Sequence, residues 1–333
     1  MTRAAFAHAL PFGRLFGLIA AVLALASAGC LADRPRIAPE PGPSPDPVLS
    51  SAGPFEITST TTAEGFGAGQ AIFLRGNFVY ILGDRYDDGT EGPGVIREFF
   101  WSTDARGNRA LFFGGREIIL TENGQDVAKH PTGLTWHPNF GYWLGDTVDQ
   151  RGTLFQIDFD LALSRGTLDG SIIRTIEDNA AVNGTRPEFI TLPGGRVVLA
   201  TSDYGDTGNA LRLYDPVALL TAERTSDDGV LFAEHPCGPF VQTLEPGFEP
   251  GEVYLVQNRT PGLGYRLTLL NVDDTGRIRG SEVFDFEQPT DELEGFAWLE
   301  TDRRGRTAFM MLSASRSANV VFGRWSPERP LRR

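Results

Sequence analysis

Short runs of apolar or alternating residues, separated by Gly, Pro, Asp and Asn, fill most of the chain after residue 53. Such runs are typical of β-strands joined by turns, and no stretch has the period of a long amphipathic helix. Five similar modules can be aligned, each with a short strand, a turn and a stronger strand that ends in a polar residue. We call these closing residues the anchors; they are Asp84, Asp146, Asp203, Asn258 and Ser313.

The anchors recur about every 55 to 62 residues, and a third strand follows each of them. A weaker fourth strand follows in the first four modules. Four strands per repeat of this length predict an all-β fold, a β-propeller with five four-stranded blades. The fifth module lacks its fourth strand, and residues 54–60 form an unassigned strand that can complete it and close the ring. Six blades, with a degenerate blade in 104–125, are the first alternative, and a β-sandwich pair is the second.

The N-terminal region reads as an export signal. A basic start precedes an apolar run over residues 15–26, which is too short to span a bilayer. Ser27-Ala28-Gly29-Cys30 resembles the lipobox of bacterial lipoproteins, although Ser27 replaces the usual aliphatic residue. The resemblance implies acylation of Cys30, on a Pro-rich tether that cannot build a core. The predicted division is a signal peptide (1–29), lipidated Cys and tether (30–53), propeller (54–327) and tail (328–333).

The net charge and the cysteine content limit the classes of binding partner and covalent cross-link that we expect. The chain has a formal net charge of −13, which argues against nucleic-acid binding and against adhesion to anionic lipid through a basic patch. If Cys30 is acylated, Cys237 is the remaining cysteine, so no disulfide framework is expected. We expect a monomer that contacts the membrane only through its lipid, at the outer membrane or cell surface. Without acylation the protein would be periplasmic or secreted.

Propeller geometry suggests where chemistry lies. The first strand of each blade lines the central channel, and the second strand returns to the same face, so strand-one openings and strand-two ends meet at one mouth. This predicts an acidic mouth, although Asp and Asn also favour ordinary turns. The predicted ligand-binding residues are Glu64, His130, Arg186, Glu188, Asp203, Tyr204, Asn258 and Glu294.

A group of carboxylates at one mouth suits a hard cation. Ca²⁺ takes six to eight oxygen ligands, so we expect a calcium site. Its predicted ligands are Glu64, Glu188, Asp203 and Glu294. A purely structural ion is the alternative. Two carboxylates across a pocket would also serve glycoside cleavage, which needs them roughly 5–10 Å apart. No catalytic residue can be assigned.

A family resemblance rests on Glu-Gly-Phe, which occurs at 64–66 and 294–296, the second time within D-E-L-E-G-F. These segments are similar to blade starts of secreted gluconolactonase-like and phytase-esterase-like propellers. The resemblance implies a metal that polarises a carbonyl and activates water, but carries over only Glu64 and Glu294. Motifs of serine hydrolases, P-loop NTPases, zincins and Rossmann enzymes are absent from the sequence.

The sequence therefore predicts a lipid-anchored envelope propeller that binds a small or glycan-like ligand at its acidic mouth, with Ca²⁺ as a candidate cofactor. A metal-dependent hydrolase that uses the same carboxylates is the first alternative, and a protein–protein scaffold is the second. Whether the protein is an enzyme is left open, because fold alone does not give function.

Overall fold

The computed structural model describes residues 54–326, apart from 88–89, 106–107, 149–150, 182–183, 261–262, 287–290, 302–304 and 306. The predicted signal peptide, Cys30, the tether and the tail lie outside the described residues.

Five four-stranded antiparallel sheets make up a five-bladed propeller, as the repeats predicted. Blade one contains β2 (Gly69–Arg75), β3 (Phe78–Gly83), β6 (Val95–Thr103) and β7 (Arg109–Ile119). Blade two contains β10 (Pro131–His137), β11 (Gly141–Val148), β12 (Arg151–Ile157) and β13 (Ile172–Asp178). Blade three contains β14 (Glu188–Thr191), β15 (Val197–Ser202), β16 (Ala210–Tyr214) and β17 (Leu231–Pro236). Blade four contains β18 (Val241–Pro246), β19 (Glu252–Thr260), β20 (Leu263–Val272) and β21 (Ile278–Phe286).

Blade five joins the two ends of the domain. It contains β22 (Leu293–Thr301), β23 (Thr307–Ser313) and β24 (Val320–Trp325), and β1 (Phe55–Thr61) supplies its outer strand. Phe55 lies opposite Trp325, and Thr61 lies opposite Val320. The predicted ring closure by an N-terminal strand is therefore confirmed, and it removes an open edge that would otherwise pair with another chain.

The six-blade alternative is wrong, because 104–125 does not form a four-stranded blade of its own. Half of this stretch is β7, the fourth strand of blade one. The residues after β7 open a small hairpin of β8 (Thr121–Glu122) and β9 (Gln125–Asp126). A similar hairpin of β4 (Tyr86–Asp87) and β5 (Thr90–Glu91) lies between the second and third strands of blade one.

Two short helices, which the sequence pattern did not reveal, connect the third and fourth strands of blades two and three. They are α1 (Phe159–Arg165) and α2 (Pro216–Leu219). The Asp158 and Asp215 carboxylates accept backbone N–H groups at the two helix starts, as N-cap residues do. Neither these nor any other helix in the described part of the chain has the length and apolarity to cross a membrane.

The core is divided among the blade interfaces. In the described residues it forms five apolar clusters, and each cluster joins two neighbouring blades, including blades five and one. Strand β3 shows why: Tyr80 and Leu82 pack toward blade two, whereas Val79 and Ile81 pack toward blade five. Because successive side chains of a strand point to opposite faces, a strand buried on both sides must be apolar throughout.

Candidate functional site

The first strands of the five blades, β2, β10, β14, β18 and β22, contact one another around the centre of the ring. We call them the inner strands, and we call the end at which they begin the mouth. The anchors lie at this same end, because each second strand runs back antiparallel to its inner strand.

Four of the five inner strands carry a one-residue bulge next to the mouth. In β2, for example, Gly69 faces Gly83 and Ala71 faces Leu82, which leaves Gln70 without a partner residue in β3. A bulge of this kind re-aims one side chain and is common beside functional sites. The four bulged residues are Gln70, Thr132, Gln242 and Glu294.

A cavity of about 230 Å³, the mouth cavity, lies at this end. Three bulged residues line it, together with residues that precede the inner strands or lie near the ends of second strands. The full lining is Gln70, His130, Thr147, Arg186, Tyr204, Gln242, Glu292 and Glu294. Sequence reasoning placed His130, Arg186, Tyr204 and Glu294 at a ligand site, and the structure brings these four together here.

A pair of carboxyls, Glu292 and Glu294, lies on one wall of the mouth cavity. Glu294 is buried, and its Oε2 receives no hydrogen bond from any donor in the described residues. Burial, and then the neighbouring Glu292, raise the pKa of Glu294 well above its usual value. Two carboxyls can hydrogen-bond to each other only when one holds a proton, and the raised pKa of Glu294 favours the proton on that residue. Tyr204 donates its hydroxyl to Glu292 Oε1 at 3.0 Å.

Arg186 supplies the positive charge opposite these acids. Its side chain is buried, its Nε donates to the Gln242 carbonyl at 3.2 Å, and its guanidinium lies 5.5 Å from the Tyr204 ring centroid. Burial lowers the pKa of Arg186 to about 10, against the opposing effect of the Glu294 and Asp203 charges. Arg186 therefore remains a cation at neutral pH and balances the charge of the carboxyl pair.

His130 links blade two to the anchor of blade one. Its Nδ1 lies 2.9 Å from Asp84 Oδ1, and its backbone N–H donates to Asp146 Oδ1 at 2.9 Å. Gln70 Nε2 also donates to Asp84, at 3.4 Å to Oδ2. Asp84 and Asp146 thus hold Gln70 and His130 in position through hydrogen bonds, without lining the mouth cavity themselves.

Asn258 has the same supporting role. Its Oδ1 accepts the Leu293 N–H at 2.7 Å, which holds the chain next to Glu294. Asp203 is engaged more strongly, since Arg212 Nη1 lies 2.9 Å from both carboxylate oxygens and the Ala210 N–H donates to Oδ2 at 3.0 Å. All five anchors are buried. The predicted ligands Asp203 and Asn258 therefore lie behind the mouth cavity and outside its lining.

Glu64 does not reach the mouth cavity. Its side chain is exposed, and its carbonyl accepts Arg97 Nη1 at 2.9 Å. The two Glu-Gly-Phe segments differ in backbone: Gly65 has a φ of +95°, in the left-handed region that favours glycine, whereas Gly295 lies in strand β22. The blade-one residue equivalent to Glu294 by its bulge is Gln70.

Glu188 lies deeper in the channel. It is two residues beyond Arg186, which moves it roughly 7 Å along the strand, and it lines a second cavity of about 480 Å³. Arg75 and Trp136, at the far ends of β2 and β10, line this cavity as well, so we call it the far cavity. Burial raises the pKa of Glu188 to about 8.

The four acids predicted to hold calcium are not gathered at one point. Glu64 is exposed, Glu188 lines the far cavity, Asp203 pairs with Arg212, and only Glu294 lines the mouth cavity. Among the described residues, no three His, Cys, Asp or Glu side chains are grouped to hold a metal ion. The prediction that these four residues meet at one mouth is thus wrong. Glu188 lies further along its strand than the mouth, and the turn at Gly65 directs Glu64 away from it.

Sequence reasoning missed Gln70, Thr147 and Glu292 as ligand-site candidates. The signal for Glu292 was present in D-E-L-E-G-F, because residues two apart on an extended strand share a face. Gln70 has no comparable signal, since its orientation depends on the bulge.

The chain matches no protein-family model, and no curated protein matches it significantly. Among solved structures it is similar to an exo-β-1,3-galactanase from Phanerochaete chrysosporium, with a TM-score of 0.45 and 9% identity, covering 83% of this chain and 64% of that one. A GH43 β-1,3-galactosidase gives a TM-score of 0.44 and 10% identity, over 80% of this chain and 93% of that one.

A third similar structure is a putative 6-phosphogluconolactonase from Bacteroides fragilis, with a TM-score of 0.34 and 13% identity over 76% of this chain and 69% of that one. The chain spans 59% of a hydrazine synthase chain from Kuenenia stuttgartiensis that it also matches. At these identities the likenesses concern the propeller fold alone.

Proposed function

We propose that the mouth cavity binds one small, neutral, polyhydroxylated molecule, such as a single sugar ring, and that the protein acts as a binding module. The observation that carries this proposal is the environment of the Glu294 carboxyl. This carboxyl is buried at a strand bulge, lines a cavity, and has an oxygen without a donor in the described part of the chain. A buried polar atom of this kind costs stability until a partner reaches it.

The chemistry of the lining supports a hydroxylated ligand. Arg186, Gln70 and Gln242 carry N–H donors, the Glu292 and Glu294 carboxyls offer acceptors, and the raised pKa of Glu294 favours a form that can also donate. Hydroxyl groups both donate and accept, so one ligand can satisfy both kinds of group. Because Arg186 balances the carboxyl pair, a neutral molecule suits the cavity better than an ion.

The size of the cavity sets an upper limit on the ligand. Its volume of about 230 Å³ lies below the roughly 300–1,000 Å³ that is usual for drug-sized ligands. This space suits a single ring or a short polyol. Any longer glycan would have to extend out of the mouth.

Calorimetric titration tests this proposal, with D-glucose, D-galactose, glycerol and the anion D-gluconate as probes. We expect a neutral sugar to bind, and Glu294→Met, which keeps the volume but removes the carboxyl, to weaken binding roughly tenfold or more. Glu64→Met is the matched control, since Glu64 is exposed outside the cavity. Absence of binding by every neutral probe, tighter binding of gluconate, or equal loss in both variants would contradict the proposal.

A hydrolase is the second candidate, because the raised pKa of Glu294 favours its acid form, and Glu292 places a second carboxyl beside it in the same cavity. As hydrogen-bonding neighbours they are closer together than the roughly 5–10 Å that glycoside cleavage uses. Hydrolysis of a lactone or ester therefore suits them better. Turnover of D-glucono-δ-lactone above the spontaneous rate, lost in Glu292→Gln, would favour this candidate; an unchanged rate would remove it.

We also propose that acylated Cys30 holds the binding module at the cell envelope, as the lipobox-like segment predicts. Growth of the producing cells with labelled palmitate tests this. Label should enter the wild-type protein and be absent from Cys30→Ala. Equal labelling of the two proteins would contradict the anchor without affecting the mouth cavity.

A further inference from the structure

The far cavity is separate from the mouth cavity, although strand β2 borders both. Gln70 and Arg75 lie at opposite ends of β2, and His130 and Trp136 lie at opposite ends of the β10 segment. At about 480 Å³, the far cavity is within the range of ordinary ligand pockets. Apolar and aromatic walls with a few polar groups are also typical of such pockets.

Trp136 forms an open aromatic wall. It is 48% exposed and lies opposite Tyr142 across the strand pair, with 6.0 Å between the ring centroids. Tyr142 packs in turn on Phe159 at 5.0 Å, so the Trp136 ring is supported from one side. Trp143 provides the contrast, because it is fully buried and donates its Nε1–H to the Phe140 carbonyl at 2.9 Å. The exposed ring of Trp136 is therefore not part of the hydrophobic core, whereas the Trp143 ring is.

Glu188 forms the polar edge opposite this wall. Thr135 Oγ1 donates to Glu188 Oε1 at 2.7 Å, and the Phe189 N–H donates to the same oxygen at 3.0 Å. The Thr135 bond crosses the interface between blades two and three, whereas the Phe189 N–H belongs to the same strand as Glu188. Its high pKa favours the protonated form at neutral pH, in which it can donate as well as accept a hydrogen bond.

Arg75 completes the lining without adding net charge. Its guanidinium hydrogen-bonds Asp160 through two nitrogens, at 2.5 and 3.1 Å, and lies 5.7 Å from the Tyr142 ring centroid. The face of Tyr142 is thus already covered by a cation that has its own counter-ion. A cationic ligand would meet this guanidinium, and a purely aromatic ligand would offer no hydrogen bond to the second oxygen of the Glu188 carboxyl.

We infer that the far cavity binds a saccharide, with the C–H face of one pyranose ring packed on Trp136 and its hydroxyls at Glu188 and Arg75. Such a ring has one apolar face and a polar edge, and it carries no charge, which matches the three parts of the lining. Packing on Trp136 removes apolar surface from water on both partners. The larger volume leaves room for a second sugar unit, so a disaccharide or the end of a glycan is the expected ligand. This inference does not rest on the function proposed for the mouth cavity.

Titration of the whole protein with maltose, cellobiose and lactose, followed by tryptophan fluorescence and by calorimetry, tests the inference. We expect at least one disaccharide to bind and to change the fluorescence. Trp136→Ala should weaken binding roughly tenfold or more, as truncation of a central aromatic contact does. Trp136→Phe should retain most of the affinity but lose the fluorescence change. Retained affinity in this variant would show that an aromatic ring at position 136 is enough for binding.

Two controls separate this site from other surfaces. Phe112 is 47% exposed on the outer strand of blade one and lines neither cavity, so Phe112→Ala should bind like the wild type. Glu294→Met should also keep the disaccharide binding that changes the Trp136 fluorescence, whatever the result for the mouth cavity. The inference is overturned if no disaccharide binds, if Trp136→Ala binds as tightly as the wild type, or if Glu294→Met abolishes the same binding.

Discussion

The two ends of the inner strands offer different chemistry to a ligand. At the mouth, bulges direct the polar side chains of Gln70, Gln242 and Glu294 into a small cavity. At the far end, β2 and β10 pair in regular register with their second strands, and the cavity is walled by aromatic rings and one carboxyl, Glu188. The same repeated strand thus yields a polar pocket where its register slips by one residue and an aromatic pocket where it does not.

This difference separates two roles for buried carboxyls at the mouth. Asp203 has its charge matched by Arg212 and its oxygens hydrogen-bonded, so it belongs to the frame, by which we mean the buried residues that support the mouth cavity without lining it. Glu294 retains an oxygen without a donor in the described residues, so it is available to a ligand. Burial alone does not distinguish the two residues; their hydrogen-bond partners do.

The largest effect should come from removing the frame. Asp203→Ala removes the buried partner of Arg212, which retains only the exposed Glu234 carboxylate at 3.0 Å, and it removes the acceptor of the Ala210 N–H. The free energy of unfolding should therefore fall by up to about 3–5 kcal/mol. Urea denaturation followed by circular dichroism measures this fall. Asp206→Ala is the matched control, since Asp206 is exposed in the same loop, and its effect should stay within about 0.5 kcal/mol. A loss below about 1 kcal/mol in Asp203→Ala would assign Asp203 to the ligand site instead.

An intermediate effect is expected from pH at the far cavity. The pKa of Glu188 is about 8 in the folded protein, above the unfolded value of about 4.3. The folded state therefore binds more protons between these values, and the Glu188 contribution to stability falls as pH rises through this window. The slope from one group is at most about 1.4 kcal/mol per pH unit.

Urea denaturation of the wild type and Glu188→Gln, at several pH values between about 5 and 8, measures this contribution. Asp146 affects both proteins equally, whereas the buried Glu245, whose pKa the Glu188 charge raises, titrates together with Glu188, so the difference reports this pair. The wild type should lose stability relative to the variant as pH rises. Parallel curves would show that Glu188 ionises normally in the folded protein, and the far cavity would then carry a negative charge at neutral pH.

The smallest effect concerns calcium. Because the four predicted ligands lie apart, millimolar Ca²⁺ should leave the melting temperature of the protein unchanged, and EDTA should not lower it. Differential scanning calorimetry measures both. A clear rise that is lost in Glu294→Met would restore a cation to the mouth cavity, whereas a rise retained in that variant would place it elsewhere.

The fold could be predicted from the sequence because its signals are local. Strand patterns such as F-V-Y-I-L-G in β3, the recurring anchors and the spare strand at 54–60 fixed the blade number and the closure of the ring. All five anchors are buried at equivalent places. The predicted ligand role of Asp203 and Asn258 did not account for the structural hydrogen bonds that these two residues make.

The site could be predicted only in part, because its residues depend on depth and register. Glu64 and Glu294 share a motif, but the left-handed turn at Gly65 ends the similarity. Glu188 follows Arg186 by two residues, yet it lines the far cavity. Gln70 enters the mouth cavity through a bulge, and a bulge adds one residue without changing the apolar pattern that reveals a strand.

A crystal structure of the protein soaked in a concentrated mixture of D-glucose and D-galactose tests the central claim most directly. We expect density for one sugar ring in the mouth cavity, with hydroxyls within hydrogen-bond distance of the Glu294 carboxyl and the Arg186 guanidinium. A mouth cavity that holds only water under these conditions, or a ring that avoids Glu294, would contradict the proposed function.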